Sequence, residues 1–303
     1  MRLPLVAAWF VAVVVASPGC SRATPDESPA SAFDQDRAWS CLVAQVAFGP
    51  RNPGSTGHAL CRDYLLKALQ AYCYSATTQE FEAQVGQDAL HLSNLLGTIN
   101  PSGSPHVILC AHWDTRPRAD QDPDPRNWNT PILGANDGAS GVAVLLELAR
   151  VLGTTPVPYQ VSIVLFDGED YGVAIDDYLL GSKYYAAQLP ADPPTRGVLL
   201  DMVGDADLQL YQEGYSVTHA PSLVQAVWGR ALSLGQTAFI PQVRHTIIDD
   251  HLPLISAGIP TIDVIDFDYP YWHTVQDTVD KCSPASLGTV GRVLLSCLKE
   301  GVL

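Results

Sequence analysis

Six acidic and imidazole residues recur at five places along the chain: His112, Asp137, the neighbours Glu169 and Asp170, Asp201, and His273. Carboxylates and imidazoles are the side chains that hold transition metals and carry protons near neutral pH. Most of these residues follow a short apolar run that reads as a buried strand, over 107–110, 161–166, 197–200 and 261–265. Asp137 instead opens a helix. Ligand-type side chains gathered at one edge of a parallel sheet are most economically explained as a metal centre, so an enzyme is the first expectation. Solvated strand-end charge is the plainer alternative, and the repeated coincidence with strand ends argues against it.

The elements that must carry these residues are legible from apolar spacing. Leu60, Tyr64, Leu65, Ala68 and Leu69 predict a helix over 56–71, after the turn residues Pro53 and Gly54. Strands are expected over 79–81 and 92–98, ahead of the strong run at 107. Asp, Pro and Asn crowd residues 116–133, which read as a surface excursion. Val142, Leu145, Leu146, Leu148 and Ala149 mark 139–152 as a core helix. The positive end of its dipole favours an ionised Asp137. Further helices are expected over 181–189, 221–234, 250–257 and 284–299. Such alternation predicts a single α/β domain, a central mostly parallel mixed sheet with helices on both faces.

A chain of 303 residues, 47% hydrophobic and 16% charged, has room for one large core and little for a second. Its formal net charge of −15 argues against nucleic acid or an anionic membrane as partner, since both demand clustered Lys and Arg. Arg2, the apolar run over 3–16 and the small residues before Cys20 predict a signal peptide over residues 1–20, with lipidation at Cys20 as one outcome. A Pro- and Ser-rich tether over 21–34 and a catalytic domain over 35–303 would follow. The chain is therefore expected to be exported, periplasmic or extracellular, and to touch a membrane only through that signal or lipid anchor. Cys41, Cys61, Cys73, Cys110, Cys282 and Cys297 then lie where disulfides can form, with fifteen possible pairings. Cys110 and Cys297 sit in apolar runs and also read as buried thiols.

The runs Ala111-His112-Trp113-Asp114-Thr115, Gly134-Ala135-Asn136-Asp137-Gly138-Ala139-Ser140-Gly141, Asp167-Gly168-Glu169-Asp170, Asp249-Asp250-His251 and Trp272-His273-Thr274 resemble the zinc aminopeptidase superfamily in type and order. Within it they are most similar to the glutaminyl cyclases of bacterial and animal type, over the chain from about Val43 onward. In the two-metal aminopeptidases the matching pattern implies His112 and Asp201 on one zinc, Asp170 and His273 on the other, and Asp137 bridging. In the cyclases it implies one zinc held by Asp137, Asp170 and His273, with an open fourth position that suits catalysis. Asp170 departs from the commoner Glu and is one methylene shorter.

Two residues favour the cyclase. Asp249 stands where aminopeptidases commonly have Ser, and Trp272 matches the aromatic wall of the cyclase pocket. The implied reaction converts an N-terminal glutamine of a peptide or protein into pyroglutamate and releases ammonia. Glu169 would carry the proton, and Asp201 and Asp249, if close, would share one because two like charges in contact ionise at a cost. His112 would then be a hydrogen-bonding group beside an orienting Asp114, not a ligand. A two-metal aminopeptidase, in which Glu169 activates a bridging water, is the alternative. A non-catalytic binding module is the third class, and the intact carboxylate set argues against it. His251 is expected to be structural, and His58, His91, His106, His219 and His245 to lie on the surface or in loops. Glu147 is either a helix-surface charge or has a buried partner.

Overall fold

A computed structural model describes Met1 and residues 33–303. The predicted signal peptide and nearly all of the tether lie outside the described residues. Two helices come first, α1 (Gln35–Ala47) and α2 (Thr56–Tyr72), then the strands β1 (Ser75–Val85), β2 (Asp88–Ile99) and β3 (His106–His112). They are followed by α3 (Ser140–Leu152), β4 (Gln160–Phe166), α4 (Leu180–Ala187), β5 (Arg196–Asp201) and β6 (Leu210–Gln212). The chain continues through α5 (Gly214–His219), α6 (Pro221–Ser233), β7 (Phe239–Val243), α7 (His251–Ser256), β8 (Thr261–Ile265) and α8 (Pro284–Lys299).

The main sheet has the order β1-β2-β4-β3-β5-β8. β4, β3, β5 and β8 run parallel, and β2 and β1 add an antiparallel edge. The expected mostly parallel mixed sheet is therefore present. β6 and β7 form a small parallel pair that short runs did not reveal. Alternation along β3 explains why the strand is apolar throughout. Val107, Leu109 and Ala111 join the core with α3 and α8, whereas Ile108 and Cys110 face the cluster with Tyr185 of α4 and Leu254 of α7. Both faces are covered, as a parallel sheet requires.

β1 and β2 are longer than the apolar runs suggest because their outward residues are polar and the hairpin pairing, not burial, sustains them. α1 escaped sequence reading. Only Ala38, Leu42 and Gln45 of its residues are buried, a thin stripe that packs on α3 and α8. α3 starts at Ser140, so Asp137 belongs to the turn before the helix and not to its first residues. The segment 116–133 is less of an excursion than its composition implies: Arg116, Ala119, Asp122 and Ile132 are buried and only the tip is exposed. Glu147 is buried on α3, where Arg150 donates to it and the Asp34 backbone N–H donates at 3.0 Å. All six described cysteines are free. Among the described residues no helix is long and apolar enough to cross a membrane.

Candidate active site

The C-terminal ends of β3, β4, β5 and β8 deliver the acidic residues to one edge, where open parallel sheets bind ligands. β3 ends on His112, β4 leads into Glu169 and Asp170, and β5 ends on Asp201. His273 arrives on the loop after β8, and Asp137 on the turn before α3.

Asp137, Asp170 and His273 converge. His273 Nε2 lies 3.1 Å from Asp170 Oδ2 and 3.7 Å from Asp137 Oδ2, and all three side chains are buried. Neither Oδ2 has a hydrogen-bond partner. Buried oxygens left this way cost stability unless a cation completes them. Donor atoms around one tetrahedral zinc stand roughly 3.3 Å apart, which these separations bracket. The donor set therefore fits a zinc ion.

A second set shares Asp137. His112 Nε2 lies 3.2 Å from Asp137 Oδ1 and 3.1 Å from Asp201 Oδ1, and this trio is also compact enough for an ion. Here the oxygens facing His112 are already satisfied by the imidazole. A third compact set, Asp249, His251 and Asp263, is fully buried behind the site. His251 Nε2 is 3.3 Å from Glu213 Oε2.

Electrostatics differ around the cluster. Burial raises Asp137, but the His112 hydrogen bond and the charges of His112, His273 and Arg116 outweigh it and hold Asp137 low. Burial lowers His273, and Asp170 and Asp120 more than reverse this, to about 9. Likewise His112 ends well above its ordinary value, with burial overcome by Asp114, Asp137 and Asp201. Glu169 is pushed well up, first by burial and then by the charge of Asp170. Asp201 is raised to about 7, chiefly by burial, with Asp249 and Asp137 adding to it while His112 pulls the other way. Asp249 is raised too, again by burial first.

The supporting shell was largely invisible in the sequence. Arg116 Nη1 donates to Asp170 Oδ1 at 2.8 Å and Nη2 to Asp120 Oδ2 at 2.6 Å, and Asp120 Oδ1 lies 3.6 Å from His273 Nδ1. Asp114 accepts from the backbone N–H of Glu169 at 3.1 Å and of Asp170 at 3.4 Å. Asp277 accepts from the N–H of Asn136 at 2.9 Å and of Asp137 at 3.1 Å. Buried Arg51 donates to the carbonyls of Trp113, Leu133 and Gly134 and ties the two ligand-bearing loops together. Gly138 has φ +99°, and a Cβ there would stand 2.3 Å from the Asp114 carbonyl oxygen, so the turn that presents Asp137 needs glycine.

His58 is buried, contrary to the expected surface position. It stacks on Trp113 and lies 2.9 Å from Asp167, whose Oδ2 accepts from the Ser93 N–H at 2.7 Å. His58 shares a helical stripe with Cys61, Leu65 and Leu69, a signal that could have placed it inside. His106 is also buried, with Nε2 2.8 Å from Ser162 Oγ. Trp272 stacks on His273 with ring centroids 3.8 Å apart and tilts against Phe267 at 5.3 Å, forming one wall of the site. His273 and Met202, which follows Asp201, both adopt left-handed backbone at φ 55° and 45°. For residues with a Cβ this conformation costs about 1–3 kcal/mol, and it clusters where function fixes the geometry.

A model described as peptidase family M28 matches residues 94–298, which span the whole acidic edge. The chain belongs to this family. The M28 chain is similar to the crystal structure of Bacteroides thetaiotaomicron glutaminyl cyclase bound to N-acetylhistamine, at 37% identity and a TM-score of 0.85, covering 88% of this chain and 98% of that one. It matches equally a structure described as a leucine aminopeptidase precursor from the same organism, at 37% identity and a TM-score of 0.85, covering 88% and 97%. Among curated relatives, a glutaminyl-peptide cyclotransferase-like protein of Bos taurus is 24% identical over 301 residues, covering 88% of this chain and 76% of the relative. Zinc-enzyme chemistry follows from family and donor set together.

Proposed function

We propose that this M28 chain is a zinc-dependent glutaminyl-peptide cyclotransferase that converts the N-terminal glutamine of peptides and proteins to pyroglutamate. The observation that carries the reading is the carboxylate arrangement beside the Asp137, Asp170 and His273 ligand set: Glu169, Asp201 and Asp249 line one small cavity with those ligands, and burial raises all three carboxyls. A bound zinc would supply Lewis-acid stabilisation of the negative charge that develops on the side-chain amide oxygen.

The chain's own residues do the rest. Cyclisation forms a bond between the α-amine nitrogen and the side-chain amide carbon, and breaks the bond from that carbon to the departing nitrogen. Glu169 accepts the proton lost by the amine and returns it to the departing nitrogen, so ammonia leaves neutral. A carboxyl raised by burial and like charge is a better acid and base for this transfer than one at its ordinary pKa. Asp201 and Asp249 line the same inner cavity as Glu169, from which their carboxyls would hydrogen-bond the reacting nitrogen. That cavity, about 80 Å³ and walled by Trp272, Phe267 and Ile265, admits little more than one folded side chain. Holding amine and amide in contact supplies much of the rate.

One zinc per chain is supported by how the two ligand sets are balanced. The Oδ2 atoms of Asp137 and Asp170 have no hydrogen-bond partner, whereas His112 Nε2 hydrogen-bonds Asp201 Oδ1 at 3.1 Å and lies 3.2 Å from Asp137 Oδ1. His112 thus engages the oxygens that an aminopeptidase would give to its second metal. The apolar segment at 3–16 supports export, which mass spectrometry of the mature N-terminus tests. For the reaction, the purified protein is given a glutamine dipeptide amide. Release of ammonia with the peptide bond intact is expected; release of free glutamine instead would make it an aminopeptidase.

A further inference from the structure

Three consecutive residues after Arg116 meet the loop that carries His273, each at a different group. Asp120 Oδ1 lies 3.6 Å from the imidazole Nδ1, the Gln121 N–H donates to the His273 carbonyl at 3.2 Å, and Asp122 Oδ2 accepts from the Val275 N–H at 3.1 Å. Asp122 is buried, and its Oδ1 accepts from the Asp124 N–H at 2.9 Å and from the Asn127 side-chain amide at 3.0 Å. Its backbone carbonyl accepts from Trp128 Nε1 at 2.9 Å. Asp137 and Asp170 each leave Oδ2 without a partner, whereas Asp122 has donors on both oxygens. It is built to hold protein and not an ion.

His273 needs such holding. Its φ of 55° lies in the left-handed region, where a residue with a Cβ persists only when its surroundings over-determine it. Its own loop contributes the Thr274 N–H, which donates to the Tyr271 carbonyl at 3.1 Å. Further restraint comes from Gln121 and Asp122, the latter 153 residues from the Val275 it binds.

We infer that Asp122 is a positioning residue for the proposed zinc ligand His273, pinning the 273–275 backbone so that the imidazole is aimed at Asp137 and Asp170 before any metal binds. The inference rests on the ligand set of the proposed zinc enzyme and adds a residue that sets its affinity, independent of which reaction follows. Once the bond to the Val275 N–H is lost, His273 relaxes toward an unstrained backbone. Rotation there swings Nε2 away from the two Oδ2 atoms that now lie 3.1 and 3.7 Å from it. Binding of the ion must then restore the conformation, which weakens affinity by the cost of that ordering. Residues that orient a metal ligand from behind are typically worth about 10- to 100-fold in metal affinity.

The test is the zinc dissociation constant of the purified protein, by competition with a chromophoric chelator in the absence of substrate, with urea midpoints of the metal-free form measured beside it. Asp122→Asn keeps the size and turns an amide N–H group toward one of the donors, and a rise of about 10- to 100-fold is expected. Asn127→Ala removes one donor to the same carboxylate and should raise the constant by about threefold, which keeps the test open if Asp122→Asn does not fold. Asp124→Asn alters the exposed pair with Arg126 in the same segment and should leave the constant within about twofold. An unchanged constant in whichever of Asp122→Asn and Asn127→Ala folds overturns the inference, even where the urea midpoint falls, because the bonds would then serve the segment alone. Equal losses in Asp124→Asn and Asp122→Asn overturn it too, as general loosening. Absence of zinc binding in the natural protein overturns the ligand set and the inference together. The expected constants in a protein that releases no ammonia from a glutamine dipeptide amide uphold the inference and overturn the cyclase reading alone.

Discussion

Two neighbouring parts of the same buried edge crowd carboxylates and balance them in opposite ways. Around Asp137 and Asp170 stand Arg116, His112 and His273, and Asp137 is held below its ordinary pKa. Around Asp249, Asp250 and Asp263 the Ser182 hydroxyl donates to Asp250, and burial raises all three, with the charge of Asp249 adding to the rise of Asp250 and Asp263. In the first region Asp137 is held low, and the two Oδ2 atoms without hydrogen-bond partners face one imidazole, the geometry that a cation completes. In the second, burial raises every carboxyl. A reaction that needs both charge stabilisation at an oxygen and proton traffic at a nitrogen is served by having the two regions side by side.

The sharpest way to break this contrast is Glu169→Gln, which keeps size and removes the proton carrier. A fall in kcat of about 10³-fold with zinc still bound is expected, and undiminished turnover would remove Glu169 from the proton path. His273→Ala attacks the first region directly. Loss of stoichiometric zinc by elemental analysis is expected, at least about 10²-fold in affinity, and retained zinc would mean the ligand set is misassigned. Asp249→Ser attacks the second region: zinc should stay, and kcat for cyclisation should fall about 10–10²-fold. Unchanged cyclisation would show that the second region is structural only.

The smallest effect belongs to Glu213, which braces His251 beneath the second region. Burial raises Glu213, but His251 and the N–H groups of Tyr215 and Ser216 prevail and bring it down to about 2. A folded pKa below the unfolded value of 4.5 stabilises the fold above pH 4.5 and is lost as pH falls toward 2. Glu213→Gln should therefore lower stability by roughly 1 kcal/mol at pH 6 and by less at pH 3, measured as urea midpoints.

What could be read from the sequence was the part that repeats a local rule. Apolar runs ending in ligand-type residues located β3, β4 and β5, and the five motifs placed Asp137, Asp170 and His273 together before any geometry was known. What could not be read were residues whose meaning depends on a distant partner. Arg116 looked like the start of a loop, yet it is buried between Asp120 and Asp170. Arg51 and Asp277 carry no motif, and only the meeting of the 113–115, 133–137 and 277 segments gives them a role. His58 was hidden for a simpler reason: a histidine on an apolar helical stripe was weighed by residue type and not by position.

The central claim is most directly tested by titrating zinc into metal-free enzyme while following ammonia release from a glutamine dipeptide amide. Activity that rises linearly and saturates at one equivalent, with pyroglutamyl peptide as product, is the expected result. Saturation only at two equivalents, with free glutamine as product, would contradict it.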